Sequence, residues 1–177
     1  MFKYKTLQNA IGKLQEIILD YKKKLKGTTL HSVFDIDDTL IFEDNKNGKK
    51  NDPIVSLLYF LKAQDPNFGV HLVTARLKNK EVGLWTKKQL QKTQIIYDSL
   101  SLAPEKHRES EEGIKQWKME QRLKHNKDSS VVLFSVGDQI WDGINGAIVE
   151  YEGYPYLIFK IDVEKHGTKF FLKLPSL

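Results

Sequence analysis

The sequence predicts an α/β fold with three layers, in which helices cover both faces of a mainly parallel sheet. Short apolar runs alternate with segments of helical periodicity along most of the chain. This alternation is typical of βαβ units, whose right-handed crossovers align their strands in parallel. Polar side chains directly follow several of the apolar runs. Because parallel strands end at one edge of a sheet, we expect these polar residues to lie together.

Length, charge and composition limit the function classes. The chain has 177 residues, a formal net charge of +5 and no cysteine, and we predict one domain over residues 1–177. The lack of cysteine excludes disulfides and thiolate sites. The positive charge favours an anionic partner such as a phosphate ester or a nucleic acid, although lysines on solvated helix faces also explain it. A secretory signal and a membrane-length apolar run are both missing, so we expect a cytoplasmic protein without membrane contact.

Residues 1–27 predict an amphipathic helix. Apolar residues recur every three or four positions and form one stripe opposite a lysine-rich face, and Gly27 ends the pattern. Such a stripe suits a coiled-coil seam or a partner surface, but the simpler interpretation is a helix packed on its own core. The stripe consists of Leu7, Ile11, Leu14, Ile18, Tyr21 and Leu25.

Residues 32–40, SVFDIDDTL, combine the end of a buried strand with polar residues at alternate positions, Asp35, Asp37 and Thr39. Two carboxylates at this spacing repel each other, so the pattern predicts a bound cation, an acid/base pair, or both. Residues 41–53 form a polar segment without periodicity, which predicts a short loop or flap near the carboxylates.

The rest of the chain repeats the alternation of helix and strand, and the second strand delivers Thr74, Ala75 and Arg76 at its end. From Ile148 onward, alternating aromatic and polar residues predict one or two further strands. In order, we predict a helix over 54–64, a strand over 70–73, a helix over 78–94, a strand over 95–102, an exposed charged loop over 104–113, a helix over 117–124 and a strand over 130–136.

Asp138 and Asp142, in GDQIWD, follow the most strand-like run of the chain. With Asp35 they would form a site built only from oxygen ligands, which suits a hard cation and favours Mg²⁺. Carboxylates and a threonine at three strand ends are difficult to explain by solvation alone. The five histidines show no ligand spacing, and we interpret them as structural or surface residues.

These motifs resemble those of the haloacid dehalogenase (HAD) superfamily of phosphohydrolases. FDIDDTL resembles the first motif, LVTAR the second and GDQIWD the fourth. For the lysine of the third motif we choose Lys118, with Lys115 as the alternative. Within the superfamily the chain is similar to the class B-like (subfamily IIIB) acid phosphatases, through the spacing of Trp117, Lys118 and Arg122 and a terminal FxLKLP.

The resemblance covers roughly residues 32–175, and it implies a Rossmann-like α/β/α sandwich with a minimal cap or none. The charged loop over 104–113 and an insertion over 148–170 depart from the family pattern. The family's usual secretory signal is also missing.

The resemblance also implies a role for each motif residue. Asp35 would be the nucleophile that forms an aspartyl phosphate, and Asp37 the acid and base. Thr74 would hold a phosphoryl oxygen, and Lys118 would offset charge on the nucleophile and the phosphate. The implied Mg²⁺ ligands are Asp35, Asp138, Asp142 and the backbone carbonyl of Asp37. The implied substrate-binding residues are Thr39, Thr74, Ala75, Arg76 and Lys118, although Arg76 suits a structural ion pair equally well.

Three functions are compatible with the sequence. The first is a magnesium-dependent phosphatase for a small phosphomonoester such as a nucleotide. The second is a phosphatase acting on the 3′ or 5′ end of a polynucleotide, which the basic charge would suit. The third is a binding or storage protein without turnover. The aromatic tail is also compatible with a homodimer.

Overall fold

The protein is described from a computed structural model that covers residues 2–42, 48–127, 129–142, 148–151 and 157–161. Its described helices lack the combined length and apolar character needed to cross a membrane. The described strands are β1 (Phe2–Tyr4), β2 (Thr29–Phe34), β3 (Ile41–Phe42), β4 (Lys49–Lys50), β5 (Gly69–Leu77), β6 (Ser99–Ala103), β7 (Ser130–Gly137), β8 (Ile148–Tyr151) and β9 (Leu157–Ile161). The described helices are α1 (Leu7–Lys24), α2 (Asp52–Gln64), α3 (Lys80–Lys92) and α4 (Glu111–Leu123).

Seven of these strands form one sheet in the order β1-β8-β9-β7-β2-β5-β6. The four strands from β7 to β6 run parallel to one another. At the other side of β7 the direction changes, because β9 pairs antiparallel with both β7 and β8. Strand β1 closes this edge in parallel with β8. The predicted α/β fold with a mainly parallel sheet is therefore confirmed.

Helices cover both faces of the sheet. The main core joins α1 and α2 to one face, where Phe34 of β2 lies, and it contains most of the buried apolar residues. On the opposite face Trp117 of α4 packs with Val33 of β2 and Val73 of β5. Neighbouring residues of a strand point to opposite faces, which explains why Val33 and Phe34 belong to different layers.

Helix α1 has a defined start and a buried stripe, but it begins at Leu7 and not at residue 1 as predicted, because Phe2–Tyr4 form strand β1. The Thr6 hydroxyl caps its first turn by accepting a hydrogen bond from the amide of Asn9, and lysines in its last turn suit the helix dipole. One face of α1 packs in the main core, so tertiary contacts account for the stripe. Its buried residues are Ala10, Ile11, Leu14, Ile17, Ile18 and Tyr21.

Helix α4 begins at Glu111, six residues before the predicted start, so part of the predicted loop over 104–113 is helical. Ser110 caps the helix, because its hydroxyl accepts a hydrogen bond from the amide of Gly113. Glu111 and Glu112 also suit the positive end of the helix dipole. A further short 3₁₀ turn occupies Glu105–His107.

Other boundaries also differ from the prediction. The predicted loop over 41–53 contains an antiparallel pair, β3 with β4, and it ends where α2 begins. Strand β5 extends to Leu77, so Thr74, Ala75 and Arg76 lie within it rather than after it. Strand β6 begins at Ser99 instead of residue 95. The second aromatic run of the tail, KFFLKL, lies outside the described residues.

Candidate active site

A cavity of about 300 Å³ lies beside the carboxyl ends of β2 and β7. In open α/β sheets, ligands bind in a crevice outside the carboxyl ends of the strands, and the cavity lies at this position. Five residues singled out from the sequence line it, namely Asp35, Asp37, Ala75, Lys118 and Asp138. Four lining residues were missed by the sequence analysis, namely Asp38, Ile114, Gln139 and Trp141.

Asp35 and Lys118 form a buried ion pair at the floor of this cavity. The Asp35 amide donates a hydrogen bond of 2.9 Å to the carbonyl of Val136, which holds the residue in line with β2. The Lys118 ammonium lies 3.1 Å from Asp35 Oδ1 and 2.6 Å from Asp142 Oδ1. Lys118 is only 2% exposed and Asp35 only 7%, so water screens this pair weakly.

Lys115, the alternative to Lys118, lies elsewhere. Its ammonium is 2.9 Å from Glu111 Oε1, one turn earlier in α4. It also lies 4.8 Å from the centre of the Trp141 ring, a distance at which a cation and an aromatic face attract each other. The structure therefore places Lys118, rather than Lys115, against the Asp35 carboxylate.

Asp142 is held from several directions. Its Oδ2 accepts a 3.0 Å hydrogen bond from the amide of Gln139, and its backbone carbonyl accepts one from Arg122. The side chain also lies directly over Gly137, where an added Cβ would come within 2.1 Å of Asp142 Oδ2. Only glycine leaves room for this contact, which explains the residue type at the start of GDQIWD.

Carboxylate oxygens of Asp35, Asp138 and Asp142 lie within 4.8 Å of one another. Burial raises the pKa of Asp35 to about 8, Lys118 acts to lower it, and the neighbouring carboxylates raise it further. Burial raises the pKa of Asp138 as well. Burial disfavours the charged form of Lys118, but the Asp35 and Asp142 carboxylates raise its pKa above the usual range. The three carboxylates of the cluster have two cationic neighbours, Lys118 and Arg122. Their oxygen atoms are donors that fit a hard divalent cation.

Asp37 lies on the cavity wall and is held by Arg76. The guanidinium donates from Nη2 to Asp37 Oδ1 at 2.6 Å and from Nε to Oδ2 at 3.0 Å. Arg76 is positioned in turn by a 3.2 Å hydrogen bond to the Thr86 hydroxyl and by the Trp85 ring, 4.4 Å from its central carbon. The Thr74 hydroxyl lies 3.5 Å from Asp37 Oδ2. Of the two roles left open for Arg76, the structure shows the ion pair.

The turn after Asp37 shapes the mouth of the site. Asp38 adopts a left-handed backbone conformation with φ 55°, which aspartate tolerates better than most residues. Its amide donates a 2.8 Å hydrogen bond to the carbonyl of Ile41. Thr39 is fully buried, its hydroxyl has no partner among the described residues, and its carbonyl accepts a bond from Asn51. Thr39 therefore lies behind the cavity wall and not on it.

A second cluster lies outside this cavity. His31, His71 and His125 each place a ring nitrogen within 4.8 Å of the others. The spacing of the histidines along the chain predicted structural or surface residues, because each of the three follows a different stretch of sequence. The pairing of β2 with β5 brings the first two together, and no spacing pattern in the sequence signals that contact.

Comparisons with known proteins show the fold only. No family model matches the sequence, and no curated protein matches it significantly. A chain in the structure of the Pnkp1/Rnl/Hen1 RNA repair complex is similar, with a TM-score of 0.52 and 21% identity over 66% of this chain. A chain in a structure of the Pnkp1/Rnl/Hen1 complex gives a TM-score of 0.49 and 22% identity over 60% of this chain. This chain spans 38% of the length of each.

Proposed function

We propose that this protein is a magnesium-dependent phosphomonoester hydrolase of the HAD type. The observation that carries the proposal is the buried Asp35 carboxylate, which faces a cavity while Lys118 lies 3.1 Å away. An ion pair that only stabilises the fold does not need an adjoining cavity. A nucleophilic carboxylate requires one, because the substrate phosphorus must approach it.

In the proposed reaction an Asp35 carboxylate oxygen attacks the substrate phosphorus. The bond from phosphorus to the leaving oxygen breaks, and an aspartyl phosphate forms. The leaving oxygen takes a proton from Asp37, which enters this step as the neutral carboxylic acid and becomes the carboxylate. Asp37 then takes a proton from a water molecule that attacks the same phosphorus. The bond to Asp35 breaks, phosphate leaves, and both carboxylates return to their starting states.

The surrounding groups would stabilise charge and hold geometry. Lys118, which contacts Asp35, would offset charge on the attacking carboxylate and on the phosphoryl oxygens. Thr74 would hold a phosphoryl oxygen beside Asp37. The residues that fit Mg²⁺ are Asp35, Asp138 and the Asp37 carbonyl, with Asp142 binding directly or through water. When bound, the cation neutralises charge on the equatorial oxygens.

The test is hydrolysis of p-nitrophenyl phosphate by the purified protein with Mg²⁺, with EDTA and after Asp35→Asn. We expect turnover with Mg²⁺ that EDTA removes and that the substitution reduces to background. Asp20→Asn is the matched control, because Asp20 lies on α1, pairs with Lys24 and does not line the cavity. Equal turnover in Asp35→Asn and wild type would contradict the proposal.

A polynucleotide end is the second candidate substrate. Trp141 lines the cavity, and Lys115 lies over its ring. Base stacking on an aromatic ring beside a cation is a common way to bind single-stranded nucleic acid. The structural neighbour with a TM-score of 0.52 also comes from an RNA repair complex. These features support a terminal phosphate of RNA as the substrate, at either the 3′ or the 5′ end.

The two substrate classes separate in one experiment. Mononucleotides and oligoribonucleotides phosphorylated at the 3′ or 5′ end are compared as substrates over a range of salt concentrations. A polynucleotide substrate predicts a higher kcat/KM for the oligonucleotides that falls steeply with salt. Equal values and a weak salt dependence favour the small phosphomonoester. No turnover on any substrate would favour a binding or storage protein.

A further inference from the structure

The histidine cluster lies on the α4 side of the sheet, several residues back from the candidate active site. His31 belongs to β2 and lies four residues before Asp35, which corresponds to about 13 Å along an extended chain. His71 lies in the neighbouring strand β5, two residues out of register from His31. His125 follows the end of α4. Two parallel strands and one helix thus bring these side chains to one place.

The three rings contact one another through ring nitrogens and ring faces. His31 Nδ1 lies 2.9 Å from His71 Nε2. His71 Nδ1 lies 2.7 Å from the Ser99 hydroxyl, so a neighbouring strand holds this ring from its other side. The ring of His125 stacks on His71, with 3.5 Å between the ring centres. Metal-binding histidines are commonly held by a hydrogen bond at the second ring nitrogen, and Ser99 supplies such a bond to His71.

Gly69 leaves the space that the rings occupy. An added Cβ at this position would lie 2.0 Å from His31 Nδ1 and 2.7 Å from His71 Nε2. The backbone φ of Gly69 is not in the left-handed region, so conformational freedom does not explain a glycine here. The missing side chain is needed because the two ring nitrogens meet over this residue.

We propose that His31, His71 and His125 form a zinc site that is separate from the acidic cavity. Three imidazoles without carboxylate or thiolate ligands suit Zn²⁺ and its transition-metal neighbours, and not Mg²⁺. Two nitrogens bound to one tetrahedral zinc lie about 3.3 Å apart, so the His31 to His71 separation needs to widen only slightly. His125 would turn away from its stacked position to supply the third nitrogen.

The charge around the cluster is compatible with such a site. Burial lowers the pKa of His71 to about 3 and that of His125 to about 4, and it lowers the pKa of His31. Asp98 acts on His31 and His71 as a nearby negative charge and would partly balance the cation. This zinc site does not depend on the proposed phosphatase activity.

The test is calorimetric titration of the full chain with Zn²⁺ in a large excess of Mg²⁺, which competes with Zn²⁺ for carboxylate ligands but not for imidazoles. We expect one zinc per chain, and an affinity at least about tenfold weaker in His125→Gln. His107→Gln is the matched control, because His107 lies in the 3₁₀ turn before α4 and outside the cluster. Substitution of Co²⁺ should give the visible absorption of a four-coordinate, nitrogen-bound ion in wild type and lose it in His125→Gln.

Two results would overturn the zinc site. One is that wild type binds no zinc under excess Mg²⁺. The other is that His125→Gln binds zinc as tightly as wild type and keeps the cobalt absorption. If His125→Gln fails to fold, the wild-type cobalt spectrum decides, since an octahedral, oxygen-bound ion has a much weaker absorption. Magnesium-dependent hydrolysis of p-nitrophenyl phosphate should be the same in folded His125→Gln and wild type.

Discussion

The guanidinium of Arg76 is paired with the Asp37 carboxylate, and this contact predicts that Arg76 positions Asp37 rather than binding substrate. The guanidinium contacts both oxygens of Asp37, and Thr86 and Trp85 fix it from behind. A carboxylate held in this way presents the same orientation to every substrate. An arginine that bound substrate phosphate would instead need donors free to point into the cavity.

Arg76→Lys therefore tests positioning directly. Lysine keeps the positive charge but cannot contact both carboxylate oxygens in a fixed plane, so Asp37 should lose its orientation. We expect kcat for p-nitrophenyl phosphate to fall on the order of 100-fold, while KM changes little. Steady-state kinetics at saturating Mg²⁺ measure both constants. A large rise in KM with kcat retained would show that Arg76 binds the substrate.

Gly137→Ala should damage the site without removing any charged group. Its Cβ would lie 2.1 Å from Asp142 Oδ2 and 2.2 Å from the Asp142 Cβ, so the Asp142 side chain must move away from Lys118. We expect weaker Mg²⁺ activation and a higher Mg²⁺ concentration at half-maximal rate. Gly12→Ala is the control, since an added Cβ there meets nothing within 4 Å. Equal Mg²⁺ dependence in both variants would contradict this account of Asp142.

At the scale of single elements, α1 is expected to stabilise the fold through its buried stripe. Leu14 is fully buried in the main core, whereas Leu19 on the same helix is 37% exposed. Leu14→Ala should reduce the free energy of unfolding by about 2–5 kcal/mol, because it removes buried surface and leaves a cavity. Leu19→Ala should change it by about 0.5 kcal/mol or less. Urea denaturation followed by circular dichroism distinguishes them, and equal losses would mean that the helix does not dock by this face.

The elements also show what sequence patterns can and cannot predict. The stripe of α1 is long and periodic, and the run at β7 is a continuous apolar stretch of β-branched and aromatic residues, so the sequence indicates the type of both elements. The start of α4 was misplaced because GluGluGly after Ser110 has the composition of a loop, and only the cap reveals the helix. The short strands β1, β3 and β4 carry no periodicity, since two or three residues form strands only when a partner is present.

At the scale of the whole molecule, topology decides which groups of residues can be found from the sequence. Asp35 and Asp138 come at the carboxyl ends of parallel strands, so the fold class places them at one edge of the sheet, and the strand order makes them neighbours. The proximity of His31 and His71 depends on the register between β2 and β5 and on the missing side chain of Gly69. Such a register is set by tertiary packing and leaves no local signal. Their grouping therefore required the structure.

The stability of the whole chain should depend on Mg²⁺ because of the three clustered carboxylates. Carboxylates of Asp35, Asp138 and Asp142 lie within 4.8 Å, and Asp138, unlike the other two, has no contact with Lys118 or Arg122 within salt-bridge distance. Asp138→Asn should therefore relieve repulsion and raise the melting temperature in EDTA. In wild type, Mg²⁺ at about 100 times its Kd should raise the melting temperature by about 5–10 °C, and this rise should disappear in Asp138→Asn.

Differential scanning calorimetry measures both effects, with Asp20→Asn as the variant that removes a carboxylate elsewhere. That control should keep the magnesium-induced rise, because Asp20 pairs with Lys24 on α1. A rise of equal size in Asp138→Asn would mean that Mg²⁺ binds outside the acidic cluster. If wild type showed no rise while Asp138→Asn was more stable in EDTA, the cluster would be a site of electrostatic strain that Mg²⁺ does not relieve. The two measurements together thus separate the repulsion within the cluster from its capacity to bind a cation.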